Sequence, residues 1–367
     1  MRYGSSICWG LILLLGCLNA AADDQVRKRF EPILNWLPAD SESLTVVDCP
    51  WQIPAEYNPK NPDEGMRQFD VCLRDWQLQY MLNGDQRRLL AGKTIRLWIS
   101  AASDFHVESP PVQVEELIVP DGYTLRYTGV HIIEFDADSG FVASELFTSL
   151  LKTSARGSFP AAKRLDVLGY DTVEYSAMHM AENRPQGARE TAATAPLIDV
   201  WFAFRFWMAS PKPNILIVAT SKEVLEATLN GIAKPSSAAF PVDAPEWTDI
   251  DPEAKVFGIR RFLRPVNASD YSDLRRFGAE ASAFTFTIDN SASTANISIR
   301  RANPQARRRL EGILSPYVAN SFRQMTSTPD VFQIQLNWAD SEGVRKDRTP
   351  SGLNSVLLHW LGYSAII

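Results

Sequence analysis

The stretch that decides the fold is Trp201-Phe-Ala-Phe-Arg-Phe-Trp207, followed by Asn214-Ile-Leu-Ile-Val-Ala-Thr220 and then Ser221-Lys-Glu-Val-Leu-Glu226. Two runs of aromatic and β-branched residues, interrupted by Pro211-Lys-Pro213, read as consecutive strands over Leu197 to Met208 and Asn214 to Thr220. Ser221 then caps a helix predicted over Lys222 to Ile232, with Glu223 and Glu226 near its positive end. Paired strands closing onto one helix set a pattern that recurs in both directions along the chain.

Toward the N-terminus, Val26, Phe30, Ile33, Leu34 and Leu37 have helical spacing that stops at Pro38. Ser43 to Val47 is a β-branched strand, and Asp63 to Leu90 reads as a long helix broken at Asn83-Gly84. Strands follow at Lys93 to Ser100, Glu115 to Val119, Tyr123 to Tyr127 and Val130 to Phe135, then a helix over Ser144 to Ala155 and a strand over Asp171 to Met180. A polar insert, Ala181 to Pro196, precedes the aromatic strand. Toward the C-terminus, strands fall at Lys255 to Phe262, Ala283 to Asp289, Ala295 to Arg301 and Val331 to Trp338. Helices are predicted at Asn303 to Leu314 and Ser351 to Leu361. Strands in hairpin groups with helices between the groups predict an α+β fold, with largely antiparallel sheets and packed helices.

The chain has 367 residues, which exceeds what one compact core usually serves. The predicted organisation is a signal peptide over 1–22, an acidic α+β domain over 23–233, a Pro-rich linker over 234–245 and a basic α+β domain over 246–367. An echo between Trp36-Leu-Pro-Ala-Asp-Ser-Glu42 and Trp247-Thr-Asp-Ile-Asp-Pro-Glu253 raises two related halves, against chance matching of Trp, Asp and Glu alone.

The modest net charge of -6 conceals a division. Residues 23–253 carry 21 Lys+Arg against 34 Asp+Glu, a net of -13, whereas residues 254–348 carry 15 against 9, a net of +6. Two portions of opposite sign attract one another, so internal docking explains Arg260-Arg261, Arg300-Arg301 and Arg307-Arg308-Arg309. An acidic external surface is the alternative partner. No nucleic-acid motif accompanies the Arg pairs, and nucleic acid is not expected as a partner.

Arg2, the apolar run Ile7 to Leu18 and the small residues Ala20-Ala21-Ala22 form a secretory signal. The apolar run is too short for a permanent span. Leu14-Leu15-Gly16-Cys17 resembles a bacterial lipobox, so two forms stay open, release after Ala22 and lipidation at Cys17. The membrane is a partner only in the second. The expected location is extracytoplasmic, periplasmic or secreted. Of the four Cys, Cys8 and Cys17 lie in the signal, leaving Cys49 and Cys72 as a disulfide candidate in an oxidising compartment.

Catalytic motifs are sparse. Asp138-Ser139-Gly140 has the form of an aspartic-protease turn, but no second copy supplies the other carboxylate. With Asp136 and Glu145 it also suggests a calcium loop, yet Gly140 and Glu145 fall at the wrong positions for an EF-hand. Ser149-Leu-Leu-Lys152 fits Ser-x-x-Lys without the partner motifs of penicillin-recognising enzymes. Met178-His179-Met180 would split its ligands between two strand faces. His106, His131 and His359 form no metal spacing, and neither metal nor cofactor is expected. On the strand through 201–207, Phe202, Phe204 and Phe206 share one face, and Trp201, Arg205 and Trp207 the other. One face belongs to a core. The second is either a stacking platform with Arg205 as polar anchor, the candidate binding site, or is covered with Arg205 snorkelling outward.

Leu37-Pro-Ala-Asp-Ser-Glu-Ser-Leu-Thr-Val-Val47, Pro211 to Leu225 and Val256-Phe-Gly-Ile-Arg-Arg261 resemble exported bacterial proteins known only as domains of unknown function. The resemblance covers about a tenth of the mature chain and implies a repeated αβ arrangement with no established activity. The functional expectation is therefore an exported, non-enzymatic binding, scaffold or envelope-associated component. Its rivals are an extracytoplasmic hydrolase assembled from separated Asp, Glu and Arg residues, and a carrier with a closed apolar cavity.

Overall fold

The computed structural model describes residues 26–48, 50–53, 84–108, 112–114, 117–119, 124–154, 161–182, 199–234, 244–263, 279–289, 294–318, 323–328 and 330–337. In chain order the elements begin with α1 (residues 26–34), β1 (Ser43–Val47), β2 (Trp51–Gln52), α2 (Gly84–Leu90), β3 (Thr94–Glu108), β4 (Val112–Val114) and β5 (Leu117–Val119). Next come β6 (Thr124–Phe135), α3 (Ala143–Ser154), β7 (Ala161–Val167), β8 (Tyr170–Glu182), β9 (Asp199–Lys212), β10 (Ile215–Ala219) and α4 (Lys222–Ala233). The chain continues through β11 (Val256–Arg261), β12 (Ala281–Asp289), β13 (Thr294–Arg301), α5 (Ala306–Val318), β14 (Arg323–Ser327) and β15 (Val331–Asn337).

The residues gather into two compact units. The first draws on 1–49, 227–265 and 273–362, and the second on 50–226, 266–272 and 363–367. Residues 1–49 thus belong with the C-terminal portion, and the border falls inside α4. In the first unit the strand order is β14-β15-β13-β12-β11-β1; in the second it is β3-β6-β10-β9-β8-β7, with β2 on β3 and a separate β4–β5 pair.

The expected α+β fold with packed helices is overturned: extensive antiparallel sheet dominates, and helices are few. Strands run longer than the sequence pattern indicated. The two strands expected over Tyr123 to Tyr127 and Val130 to Phe135 are replaced by one, β6 (Thr124–Phe135), because the polar Thr128-Gly129 between them pairs with Ser103 and Ala102 of β3. β3 itself runs 15 residues and β9 runs 14. Two strands that are not apolar in pattern, β7 and β14, also join.

In the first unit, Leu44 and Val46 of β1 face Ile259 and Phe257 of β11. Phe30 of α1 lies 5.7 Å from the Phe257 ring and Trp247 lies 6.2 Å from it, so α1 and the 3-10 turn Pro245–Asp249 cover this face. Phe284, Phe286, Ile297, Ile299, Phe332 and Ile334 are buried on the other face. Burying large apolar side chains stabilises by about 1.5–3 kcal/mol each before the entropy of ordering is counted. Gly258 is required where it stands, because a Cβ there would run into the Phe286 ring.

In the second unit, Ile99, Ile132 and Ile217 form one cross-strand row, and Trp98, Ile133 and Leu216 form the next. All six are buried, which is why β10 reads as the continuous apolar run Ile-Leu-Ile-Val-Ala. α3 buries Leu146, Phe147 and Leu150, as their helical spacing predicts. The Ser221 hydroxyl accepts the Val224 N–H at 3.2 Å and caps α4. Hydrogen bonds to backbone N–H and to Ser221 hold the Glu223 carboxyl below its usual range.

Candidate functional site

Along the first unit's sheet the face beneath α1 and the 3-10 turn changes character. On β11 it is Phe257 and Ile259; two strands further it becomes amides and hydroxyls. Register sets Phe257, Thr287, Asn296 and Gln335 in one row, and Ile259, Thr285, Ser298, Gln333 and Thr326 in the next. A groove of about 490 Å³ runs between these rows and the segment Thr248–Pro252. Thr287 and Ser298 are buried at its inner side, whereas Asn296, Gln333, Gln335 and Thr326 are exposed along it. The Thr326 hydroxyl reaches Gln333 Oε1 at 3.5 Å. Among the described residues, the Asn296 and Gln335 amides hydrogen-bond to no other side chain. Beside Ser298 in the second row, the buried Thr285 hydroxyl has no hydrogen-bond partner among the described residues.

The carboxylates on the groove are engaged. Arg300 Nε donates to Asp249 Oδ2 at 2.7 Å, and Nη2 donates to Asp249 Oδ1 at 2.9 Å. The same Nη2 reaches the Pro245 carbonyl and the Thr248 hydroxyl, each at 2.8 Å. Arg300 therefore ties the 3-10 turn to β13 with a planar fork that a Lys could not reproduce. Burial raises the Asp249 carboxyl above its usual range, although Arg300 pulls the other way. Asp251 Oδ1 accepts the Glu253 N–H at 2.9 Å and closes a turn.

Other arginines in this unit are bound in the same manner. Arg261 lies 3.7 Å from Glu246, and Arg309 lies 2.7 Å from Glu280. Arg301 donates to the Thr328 carbonyl and stacks 4.6 Å over Phe332. Arg29 donates to the Ala254 carbonyl at 2.5 Å and sits 3.7 Å from Asp48. Burial lowers the Arg260 guanidinium to about 10 against the pull of Glu42. These arginines thus meet acidic and carbonyl groups of their own unit.

The three residues singled out on β9 have different surroundings. Arg205 pairs across the strands with Ser176, and Trp207 with Glu174 and Ala219. Arg205 Nε is 3.4 Å from Ser176 Oγ and 3.5 Å from Glu174 Oε1, and the side chain is 42% exposed. Trp207 is half-buried, between the intermediate Glu174 and the fully buried Ala219. Trp201 pairs with Met180 in the ladder, but its side chain lies outside the described residues. On the opposite face Phe206 packs into the core, across from the buried Tyr175, whose hydroxyl burial pushes up to about 12.

Most remaining motifs have structural roles. Asp136 accepts the Asp138 N–H at 3.1 Å to cap a 3-10 turn ending at Gly140, whose φ is 66°. Lys93 Nζ donates to the Gly140 carbonyl. Ser149 and Lys152 line a surface notch with Glu145 and Thr148, and Lys152 is exposed. His131 is buried, and burial pushes it down to about 4, so it is neutral and accepts from Trp98 Nε1 at 3.5 Å. Among the described residues no group of three or more His, Cys, Asp or Glu is placed to hold a metal, and no helix is long and apolar enough to cross a membrane. Cys49 and Cys72, the side chains of His106 and Met178 to Met180, and the signal expected over 1–22 lie outside the described residues.

No family model and no curated protein matches the chain. A solved structure titled "Structure of crystal form I of TP0453" is similar over 91% of this chain and 97% of that chain, at 9% identity and a TM-score of 0.41. A likeness of that size carries no argument about fold or activity.

Proposed function

We propose that the protein is an exported, non-enzymatic binding component associated with the cell envelope, either released after Ala22 or lipid-anchored at Cys17, with Cys49 and Cys72 bridged. The observation that supports binding is the groove of the first unit, where Asn296 and Gln335 offer exposed amides free of side-chain partners among the described residues. Proton transfer in a hydrolase needs a carboxyl within reach of substrate and free to exchange its proton. Here both Asp249 oxygens are held by Arg300 and Asp251 Oδ1 closes its own turn, so among the described residues the groove offers no pair of free carboxyls for acid and base roles, and binding is favoured over hydrolysis.

Co-sedimentation of the mature chain with isolated envelope material tests this reading. The wild type pellets with the envelope, an Asn296→Ala/Gln335→Ala variant stays in the supernatant, and no soluble fragments are released. Steady release of reducing ends or peptides would replace the binding reading with the hydrolase. Equal pelleting of both proteins would remove the groove from the account. Separately, a mature N-terminus lacking both cleavage after Ala22 and lipid on Cys17 would overturn the export part.

A further inference from the structure

We infer that the groove of the first unit takes an uncharged, polyhydroxylated chain, a neutral oligosaccharide, laid across β13, β15 and β14. This rests on the binding reading above and gives it a ligand class. Thr287, Asn296 and Gln335 stand in one register row, and Ser298, Gln333 and Thr326 in the next. Neighbouring strands lie about 4.8 Å apart, and residues two apart on a strand about 6.8 Å. The six side chains therefore form a regular grid of neutral hydrogen-bonding groups. Each primary amide carries two donors and an accepting oxygen, and each hydroxyl donates and accepts. A sugar ring presents the same mixture, hydroxyls that donate and accept at spacings of a few ångströms.

Other ligand classes fit less well. Among the described residues no Lys or Arg lines the groove, and the charge of Arg300 beside it is neutralised by its two-pronged pairing with Asp249, so a phosphate or acidic polysaccharide finds no unpaired cation there. Asp251 leaves the site slightly negative, which disfavours anions further. An acyl chain needs a mainly apolar lining, whereas Ile250 is buried and the exposed lining side chains on β13, β14 and β15 are polar. A peptide adding as a strand needs unpaired backbone groups; β13 and β15 are each paired on both sides, which leaves only the outer edge of β14, at the end of the strand order, for such an addition.

The test is a titration of the mature chain with soluble neutral oligosaccharides, cellohexaose and N-acetylglucosamine hexamer, followed by calorimetry. At least one binds; affinity is unchanged between about 50 mM and 500 mM salt, falls about tenfold in Asn296→Ala/Gln335→Ala, and is unchanged in Trp207→Ala. Circular dichroism and thermal unfolding of the double variant match the wild type, because both positions are exposed. Binding that weakens steeply with salt, preference for an acidic polysaccharide or an unstructured peptide, or equal affinity in the double variant would each overturn the proposal. If envelope co-sedimentation depends on Asn296 and Gln335 but neither neutral hexamer binds, the ligand class is wrong while the binding reading stands.

Discussion

The outer row of β9 in the second unit and the polar rows of β13 and β15 in the first look alike in one respect, since each combines an Arg with neighbours able to hydrogen-bond. They differ in how the Arg is held. Arg300 is 21% exposed and makes four bonds of 2.7–2.9 Å to a turn that shapes the groove. Arg205 is 42% exposed, with the contacts described lying at 3.4 and 3.5 Å. An Arg half as exposed and neutralised by a bidentate carboxylate fixes the scaffold and leaves neighbouring amides to a ligand; one 42% exposed stays largely solvated, where ion pairs contribute little. On the binding reading proposed above, the recognition surface lies where the charges are neutralised rather than where the aromatic residues are densest.

The largest expected effect comes from the sheet behind the groove. Gly258→Val pushes a branched side chain into Phe286 and should cost about 3 kcal/mol or more, with loss of the polar rows; urea unfolding followed by amide exchange in β13 measures it. Wild-type stability there would show that the register of the first unit is set elsewhere.

Acid should act first on the second unit. His131 titrates near 4 when folded and near 6.5 when unfolded, so the unfolded chain takes up the proton first as pH falls. Stability is complete above about pH 6.5 and is lost down to about pH 4, by about 3 kcal/mol in all. Amide exchange in β6 should accelerate over that window in the wild type and lose this dependence in His131→Gln. A wild-type profile that is flat in the window would mean that His131 is not shielded from water.

The direct contrast comes from two arginine substitutions. Arg300→Ala leaves Asp249, only 10% exposed, without its partner and should cost about 2 kcal/mol together with groove binding. Arg205→Ala should change stability by less than about 0.5 kcal/mol and leave binding intact. Equal costs from chemical denaturation would erase the distinction drawn between the two rows.

Much of the scaffold is legible in the sequence, for identifiable reasons. β1, β10 and α4 match their expected bounds to within a residue or two, because β-branched runs and a Ser cap act locally. β7 and β14 give no strand signal because Ala-Ala-Lys-Arg-Leu-Asp-Val and Arg-Gln-Met-Thr-Ser carry few apolar residues, as befits strands at the ends of the strand order. The sheet-dominated architecture is not legible in the sequence, because strand length beyond an apolar run comes from pairing with neighbours. The groove was hidden for a related reason. Asn296, Ser298, Gln333 and Gln335 each look like the solvated face of an ordinary strand, and only cross-strand register gathers them with Thr287 and Thr326. The aromatic run at 201–207, by contrast, is prominent in sequence chiefly because one face of it, through Phe206, builds the core.

The most direct test of the account watches both rows at once. Side-chain amide signals of Asn296, Gln333 and Gln335, and the indole N–H of Trp207, are followed by NMR while a neutral hexasaccharide is added. The account predicts shifts at the three amides that saturate together while the Trp207 signal stays in place. Saturating shifts at Trp207 with unmoved amides would contradict it and return recognition to β9.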